Sequence, residues 1–289
     1  MKKNILIFGA GGMLGRVLCK RLKDKYKVIP LARQDCDITD KKKVETCFRD
    51  FKPWVVINSA AYCDVDGCEQ NKKKAYSVNA SGAANIARAA RALGSVLIHI
   101  STDYVFDGTK NRPYREADKP KPLSVYGKSK LKGEEYVRRR LENYLIIRSC
   151  WLFGRGRRNF VDDMLGRVKN KKDFAIVSDK FATPTYVVDL AQAISKLLDL
   201  ISGPKWKKSY FGIYHITNSG FCSWYDYAKA IFRLAKIKGV RIEPIPMRQL
   251  KFIASRPAFS VLDNNKYIRL ASRPLRAWQK AVKEYVQCG

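Results

Sequence analysis

The chain has 289 residues, of which 46% are hydrophobic and 29% charged, as is ordinary for a globular protein. No apolar run approaches the ~18 residues that a membrane-spanning helix needs, so we expect a cytoplasmic protein without a membrane partner. The formal net charge of +31 is extreme. Because the lysines and arginines are scattered and lack interleaved aromatic residues, we expect a solvated basic surface rather than nucleic-acid binding.

Short apolar runs alternate with helical patterns in the first half of the chain, which predicts a parallel sheet with crossover helices. Gly9 cuts the opening apolar run too short for a signal peptide, so that run predicts a buried strand. The predicted strands are Ile5–Phe8, Val28–Leu31, Val55–Asn58, Val96–Ile100 and Leu145–Arg148. The predicted helices are Met13–Leu22, Lys43–Phe51, Ala75–Leu93 and Val125–Leu141. Residues 1–150 are therefore expected to form an α/β, Rossmann-type doubly wound domain.

After Trp151 the pattern loosens and prolines become frequent, which predicts a smaller, less regular lobe formed mainly by residues 151–289. Segments around 182–218 are expected to return to the sheet. The predicted helices of this half are Phe160–Val168, Val188–Leu200, Trp224–Ala235 and Leu275–Val286, and its predicted strands are Gly212–Thr217 and Val240–Ile245.

A glycine-rich turn follows the first predicted strand and opens a helix. The spacing Gly9-x-x-Gly12-x-x-Gly15 lets the backbone turn tightly and approach a pyrophosphate at the helix N-terminus. The segment predicts a dinucleotide-binding turn formed by Gly9, Gly11, Gly12, Met13 and Leu14.

The end of the second predicted strand is expected to contact the adenosine ribose. An acidic residue there would bind the ribose hydroxyl of NAD, but this chain has Arg33. An arginine can pair with a 2′-phosphate, which favours NADPH and leaves NADH as the alternative. The neighbouring Asp37 and Ile38 are expected to flank the adenine.

Tyr126 and Lys130 stand one helical turn apart, so both project from the same helix face. A nearby ammonium is expected to lower the pKa of the phenol, which could then give a proton to a carbonyl oxygen. Tyr225 and Lys229 repeat the spacing. Only the first pair follows a strand that ends in a hydroxyl residue, Thr102.

Eight cysteines and two histidines show no metal-binding spacing. We expect reduced, half-buried thiols and no metal site. His99 and His215 lie in strand-like segments and are interpreted as core histidines with satisfied hydrogen bonds.

With these parts together, the chain resembles the extended short-chain dehydrogenase/reductases, and among them the dTDP-4-dehydrorhamnose reductase family. The resemblance extends nearly from end to end. Besides the glycine turn, it rests on the segments Asn58–Tyr62, Val65–Asp66, Glu69, Val78–Ala80, Gly82, Asn85, Ser101–Gly108, Pro122–Leu131, Gly133–Glu134, Arg148–Trp151, Asn159–Phe160, Ala182–Thr185 and Ser255–Pro257.

The resemblance implies NADPH-dependent reduction of the C4 keto group of a dTDP-4-keto-6-deoxyhexose, a dTDP-sugar. Tyr126 would donate the proton, Lys130 would hold the nicotinamide ribose, and Thr102 would hydrogen-bond the carbonyl. The implied cofactor contacts also include Ala60, Ala61, Tyr62 and Asn79, and the implied substrate contacts are Tyr104, Trp151, Asn159 and Arg256.

Structural interpretations stay open for several of these residues. Tyr104 could pack the base of a loop, Trp151 could anchor the two lobes, and Asn79 could fix the backbone beside the catalytic helix. Arg256 could be an ordinary loop arginine. Cys63 and Cys150 depart from the family, which commonly has threonine and a small hydroxyl residue there, so the identity of the sugar is open.

Three alternative functions share parts of this pattern. A 4,6-dehydratase would need a second carboxylate where Tyr104 follows Asp103, and an epimerase shares the Tyr-x-x-x-Lys spacing. A non-catalytic NADP-binding regulatory subunit, similar to the beta subunit of methionine adenosyltransferase, is the third. The sequence leaves open whether the protein forms a homodimer.

Overall fold

The sheet that organises the molecule has six parallel strands, as a computed structural model of residues 2–170 and 172–287 shows. The strands are β1 Asn4–Phe8, β2 Lys27–Leu31, β3 Val55–Asn58, β4 Val96–Thr102, β5 Tyr144–Ser149, β6 Leu152–Phe153, β7 Asp173–Val177, β8 Phe181–Ala182, β9 Thr185–Tyr186, β10 Gly212–His215, β11 Cys222–Ser223 and β12 Arg241–Ile245. The helices are α1 Met13–Leu22, α2 Lys41–Phe51, α3 Val65–Gln70, α4 Lys72–Tyr76, α5 Ala83–Leu93, α6 Val125–Arg140, α7 Phe160–Arg167, α8 Val187–Ser202, α9 Trp224–Leu234, α10 Asn265–Ala271 and α11 Trp278–Gln287.

The strand order is β10-β5-β4-β3-β1-β2, so the direction of winding reverses between β1 and β3. A ligand cleft is expected at the carboxyl ends of the strands at such a reversal. Strands β1, β3 and β4 are almost continuously buried because helices cover both sheet faces. The expected α/β Rossmann-type fold is confirmed. Among the described residues, no helix combines the length and apolarity needed to cross a bilayer.

One long predicted helix, Ala75–Leu93, is divided in the structure. Helix α4 gives way to a π-helical turn over Ser77–Gly82 before α5 begins. The wider turn carries the backbone of Asn79 against α6, where a side chain at Gly133 would overlap the Asn79 carbonyl. Such π turns often accompany functional sites, and this one touches the helix that carries Tyr126.

Residues of the second half of the chain contribute to two separate hydrophobic cores. Strand β10 completes the sheet beside β5, and α8 packs on the sheet face that α1 also covers. A second hydrophobic core joins α7, α9 and α11 to the pair β7 and β12. Strand β7 and the helices α3 and α10 were not predicted, because each is short and depends on neighbours that are distant in sequence.

Candidate active site

A cleft of about 510 Å³ opens at the carboxyl ends of β1, β3 and β4. Every predicted cofactor contact except Asn79 lines it. These residues are Gly9, Gly11, Gly12, Met13, Leu14, Arg33, Asp37, Ile38, Ala60, Ala61, Tyr62, Tyr126 and Lys130.

The glycine turn has the geometry of a phosphate cradle. Gly9 has a φ of +76°, and a Cβ there would lie 2.6 Å from the Ala60 nitrogen. Gly12 donates its N–H to the Gly9 carbonyl at 3.0 Å. Gly12 is also the N-cap of α1 and supplies no side-chain acceptor. The first N–H groups of a ten-residue helix therefore face the cleft, where an anion can accept their hydrogen bonds. The residues present fit a dinucleotide diphosphate.

Arg33 is positioned at the ribose end of the cleft, but it is already paired. Its Nε lies 3.0 Å from Oδ2 of Asp37, while Oδ1 of Asp37 accepts the hydrogen bonds of Thr39. The other nearby carboxylate, Asp35, accepts the N–H of Ala32 at 2.8 Å. The side chain of Arg33 is 75% exposed, so it can turn towards a phosphate without losing a buried contact.

Two of the three predicted catalytic residues, Tyr126 and Lys130, line the cleft, and the third, Thr102, lies outside the lining but shares a hydrogen bond with Tyr126. Thr102 ends β4, and Ser124 caps α6 by accepting the N–H of Gly127 at 3.2 Å, which places Tyr126 in the first helical turn. Lys130 follows one turn later. Its Nζ donates to the Ile100 carbonyl at 2.6 Å, and burial lowers its pKa.

The expectation that the ammonium lowers the pKa of Tyr126 is wrong for this structure. Burial raises the pKa of the phenol well above its usual value, and the neighbouring Cys63 adds to this, whereas a hydrogen bond with Thr102 opposes it. The Nζ of Lys130 instead donates a short hydrogen bond to the Ile100 carbonyl. A phenol that stays protonated is nevertheless in the state that a proton donor requires.

A buried ion pair fixes the catalytic helix to the sheet. Arg148 on β5 contacts Glu134 on α6 through two hydrogen bonds of 2.9 and 2.7 Å, and both side chains are 1% exposed. Ser101 donates a third hydrogen bond to Glu134 at 2.5 Å. Because Ser101 adjoins Thr102, the same carboxylate connects the strand and the helix that bear the predicted catalytic groups.

Asn79 lies beside the cleft rather than in its lining. Its Oδ1 accepts the N–H of Tyr62 at 2.8 Å, and its Nδ2 donates to the Tyr62 carbonyl and to Ser129 Oγ. The side chain is 1% exposed, and both of its polar atoms have partners within the protein. It holds the Tyr62 loop against α6, which is the structural interpretation that the sequence left open.

Tyr104, one of the predicted substrate contacts, lies beside Tyr126, with the two ring centroids 5.6 Å apart in an edge arrangement. Trp151 has a φ of +43° and stacks near Tyr227 and Trp224, with both centroid distances 6.1 Å. The indole joins the packing of the second core. That contact agrees with the anchoring interpretation of Trp151.

The structure does not bring Asn159 to the cleft. Its Oδ1 caps α7, and its Nδ2 donates to the Gly154 carbonyl, Asp162 and the Tyr285 hydroxyl. Asn159 is therefore the N-cap of α7 in this structure, and its substrate contact stays a prediction. Its partners Gly154, Val161 and Asp162 are near in sequence, whereas Tyr285 lies on the distant helix α11. The contact with Tyr285 could not be predicted from the sequence.

Arg256 is paired with Asp66, a residue that is distant in the sequence. Its guanidinium donates hydrogen bonds to both carboxylate oxygens of Asp66, at 3.1 and 2.7 Å, and lies 3.9 Å from the Phe252 ring centroid. The side chain of Arg256 is 10% exposed, and its ion pair links α3 to the loop that contains Arg256. A substrate diphosphate would have to compete with Asp66 for it.

Sequence reasoning missed several groups around the site. Lys74 and Arg157 add two cations to the cleft lining. Both residues belong to basic runs in the sequence, at 72–74 and 155–158. From the sequence alone, the basic residues are interpreted as solvated surface. Lys180 is wholly buried near Tyr104, and no local pattern marked it.

The remaining predictions concern thiols, histidines and metals. Cys63 lines the cleft, and the seven cysteines among the described residues are free; Cys288 lies outside those residues. His215 donates to or accepts from neighbours on both ring nitrogens, but His99 Nε2 lacks a partner, so His99 is only half satisfied. Within residues 2–170 and 172–287, no cluster of three metal-binding side chains occurs.

Comparisons with known proteins agree with this geometry. The family model of the RmlD substrate binding domain matches residues 1–288. The chain is 41% identical to the spore coat polysaccharide biosynthesis protein SpsK of Bacillus subtilis, over 98% of this chain and 96% of that protein.

Two solved structures superpose closely. A dTDP-4-dehydrorhamnose reductase of Clostridium acetobutylicum is 42% identical with a TM-score of 0.92, covering 99% of both chains. That of Bacillus anthracis, in complex with NADP, is 35% identical with a TM-score of 0.93, covering 100% of both. The chain therefore belongs to the dTDP-4-dehydrorhamnose reductase family.

Proposed function

We propose that the protein is an NADPH-dependent reductase that converts the C4 keto group of a dTDP-4-keto-6-deoxyhexose into a hydroxyl. The observation that carries this proposal is a cleft that opens on an uncapped helix N-terminus and is lined by Tyr126 and Lys130, with Thr102 hydrogen-bonded to Tyr126. Relatives named dTDP-4-dehydrorhamnose reductase, one of them solved with NADP, support the choice of substrate and cofactor.

The chain's own residues would bind and polarise the substrate. The α1 N-terminus, with Arg33 and Arg157 at the cleft, would hold the phosphates of the cofactor, which supplies a hydride when bound. Tyr126 would donate its phenolic proton to the carbonyl oxygen, since burial keeps that proton in place. Lys130 would orient the ribose beside it, and Thr102 and Tyr104 would position the sugar.

The test is NADPH oxidation, followed by nicotinamide absorbance, with dTDP-4-keto-6-deoxyhexoses as substrates. Tyr126→Phe should lower kcat roughly a hundredfold or more, because general acid catalysis contributes that much, and it should spare NADPH binding. Tyr225→Phe is the matched control: it removes the tyrosine of the other Tyr-x-x-x-Lys pair, which lies on α9 outside the cleft lining.

Tight NADPH binding without oxidation by any such sugar would contradict the proposal and favour a regulatory subunit. Retained activity in Tyr126→Phe would require another proton donor. The cytoplasmic location and the homodimer stay predictions, which cell fractionation and light scattering test.

A further inference from the structure

Two cavities outside the cofactor cleft adjoin the edge strand β10. The larger, of about 650 Å³, includes Ile213 of β10 and Tyr144 of β5 in its lining. The smaller, of about 560 Å³, includes Tyr214 of β10. Lys266 and Arg269 of α10 line both cavities, so the two are neighbours. Among the described residues, none that lines either cavity also lines the cofactor cleft, and we call the pair of cavities the edge site.

The larger cavity carries more positive than negative charge. Its charged lining residues are four cations and two carboxylates: Arg115, Arg138, Lys266, Arg269, Glu116 and Asp263. Both carboxylates already accept hydrogen bonds, Glu116 from the His215 N–H at 2.9 Å. Asp263 accepts the Asn265 N–H at 2.7 Å and lies 3.7 Å from Arg115. The cations therefore outnumber the carboxylates that could neutralise them.

The cations of the larger cavity retain unused hydrogen-bond donors. Within residues 2–170 and 172–287, Arg138 and Arg269 form neither an ion pair nor a side-chain hydrogen bond. Lys266 donates to the Ile213 carbonyl at 2.7 Å, which uses one of the three N–H groups of an ammonium. Guanidinium groups bind phosphate oxygens through paired, charge-assisted hydrogen bonds. The larger cavity is therefore suited to a phosphate.

The smaller cavity has an aromatic wall and a donor that lacks an acceptor. Trp206 and Tyr210 both line it, with their ring centroids 5.4 Å apart. Nε1 of Trp206 is buried and has no hydrogen-bond partner among the described residues. An indole N–H can only donate, and a buried donor without an acceptor is costly. A planar ring that carries a carbonyl or a ring nitrogen would pack on this wall and supply the acceptor.

Lys266 joins the aromatic cavity to the cationic one. Its Nζ lies 4.3 Å from the centroid of the Tyr214 ring, which lines the smaller cavity. The Tyr214 hydroxyl donates to the Tyr210 carbonyl at 2.6 Å, which holds the two tyrosines together. A ligand that fills both cavities therefore needs a planar ring at one end and an anionic group at the other.

We propose that the edge site binds a nucleoside phosphate. The base packs against Trp206 and Tyr210, and the phosphate oxygens accept hydrogen bonds from Arg138, Arg269 and Lys266. The site goes beyond the reductase function, because it lies outside the cofactor cleft. Arg138 is in the last turn of α6, whereas Tyr126 is in the first turn, so the bound ligand contacts the far end of the catalytic helix.

Calorimetric titration of the NADPH-saturated protein with dTDP and with ADP tests the proposal, since NADPH fills the cofactor cleft. We expect saturable binding of a nucleotide, and the comparison of dTDP with ADP shows which base the site prefers. Arg138→Met and Arg269→Met should each raise the Kd roughly tenfold or more, because charge-assisted hydrogen bonds to phosphate are lost. Trp206→Phe keeps an aromatic ring but removes the N–H, and it should raise the Kd about fivefold.

Arg139→Met is the matched control. Arg139 follows Arg138 in the same basic run and is likewise exposed, but it lines neither cavity of the edge site. Its loss should leave the Kd unchanged. An equal rise of the Kd in Arg138→Met and Arg139→Met would indicate general attraction by a basic surface and would overturn the inference. Absence of saturable binding of both nucleotides would overturn it as well.

Inorganic diphosphate separates the contributions of the two cavities. It should bind more weakly than the nucleotides, and Trp206→Phe should leave its Kd unchanged. Diphosphate that binds as tightly as the nucleotides would overturn the assignment of a nucleoside.

Failure of the proposed reductase function is distinguishable from failure of the edge site. All four variants should bind NADPH with the wild-type affinity in a fluorescence titration, because none of the substituted residues lines the cofactor cleft. If the wild-type protein binds no NADPH, the nucleotide titrations are made without it, and the same comparison of Arg138→Met with Arg139→Met decides.

Discussion

The buried pair of Glu134 and Arg148 offers the sharpest prediction about how the active site is held together. The substitution Glu134→Gln preserves shape but removes the negative charge that faces a guanidinium at 2.7 Å, with both side chains 1% exposed. Breaking a buried pair from one side costs about 3–5 kcal/mol, because the remaining charge is left without compensation. At about 2–4 °C per kcal/mol for large domains, the melting temperature should fall by roughly 10 °C.

The assay is thermal unfolding by circular dichroism, together with kcat on a dTDP-4-keto-6-deoxyhexose. Glu135→Gln is the control, since the next residue makes a 3.0 Å ion pair with Lys132 at the surface, where the two side chains are 36% and 39% exposed. Surface pairs are worth about 0–1 kcal/mol, so its midpoint should barely move. Equal midpoints for the two variants would refute the assignment of Glu134 as the link between α6 and β5. Lowered kcat in Glu134→Gln, measured below its melting range, would show that the link also positions Tyr126.

Three further predictions follow from single positions. Arg33→Asp should shift the preference from NADPH towards NADH, because the carboxylate repels a 2′-phosphate; an unchanged ratio of kcat/KM values contradicts the role of Arg33. Gly9→Ala should abolish NADPH binding measured by fluorescence, since its Cβ would meet the Ala60 backbone at 2.6 Å, whereas Gly94→Ala, at a similar positive φ but in open space, should bind normally. Burial lowers the pKa of His215 to about 3, below its unfolded value. The unfolded state therefore binds the extra proton below about pH 6.5, and the free energy of unfolding should fall by up to ~1.4 kcal/mol per pH unit on acidification. Urea titrations at pH 7 and 5.5 check this, and His215→Asn should flatten the slope.

Local patterns were enough to predict the elements that carry the chemistry. The glycine turn and the Tyr126–Lys130 spacing depend on φ angles and helical periodicity over a few residues. Both therefore appear in the structure where the sequence indicated. The parallel sheet followed for the same reason, from continuous apolar runs that are buried on both faces.

Roles that depend on contacts between distant segments could not be predicted in the same way. Asn159 has the polarity of a substrate ligand, yet its Oδ1 caps α7 by accepting the N–H of Val161, and its Nδ2 donates to Asp162 and to the Tyr285 hydroxyl. The side chain of Asn79 forms hydrogen bonds with Tyr62 and Ser129, and that of Arg256 forms them with Asp66. In each case a partner supplied by the tertiary structure takes the hydrogen bonds that the residue type made available to a ligand.

Tyr126 shows most clearly which properties follow from the sequence and which follow only from the tertiary structure. The sequence by itself determined that a phenol and an ammonium share a helix face behind a dinucleotide-binding turn. Only the tertiary structure decided that Tyr126 is partly buried with its pKa raised and that Lys130 bonds to the Ile100 carbonyl. The physical reason is that spacing along a helix depends on local geometry, whereas desolvation and charge compensation depend on everything that packs around the group.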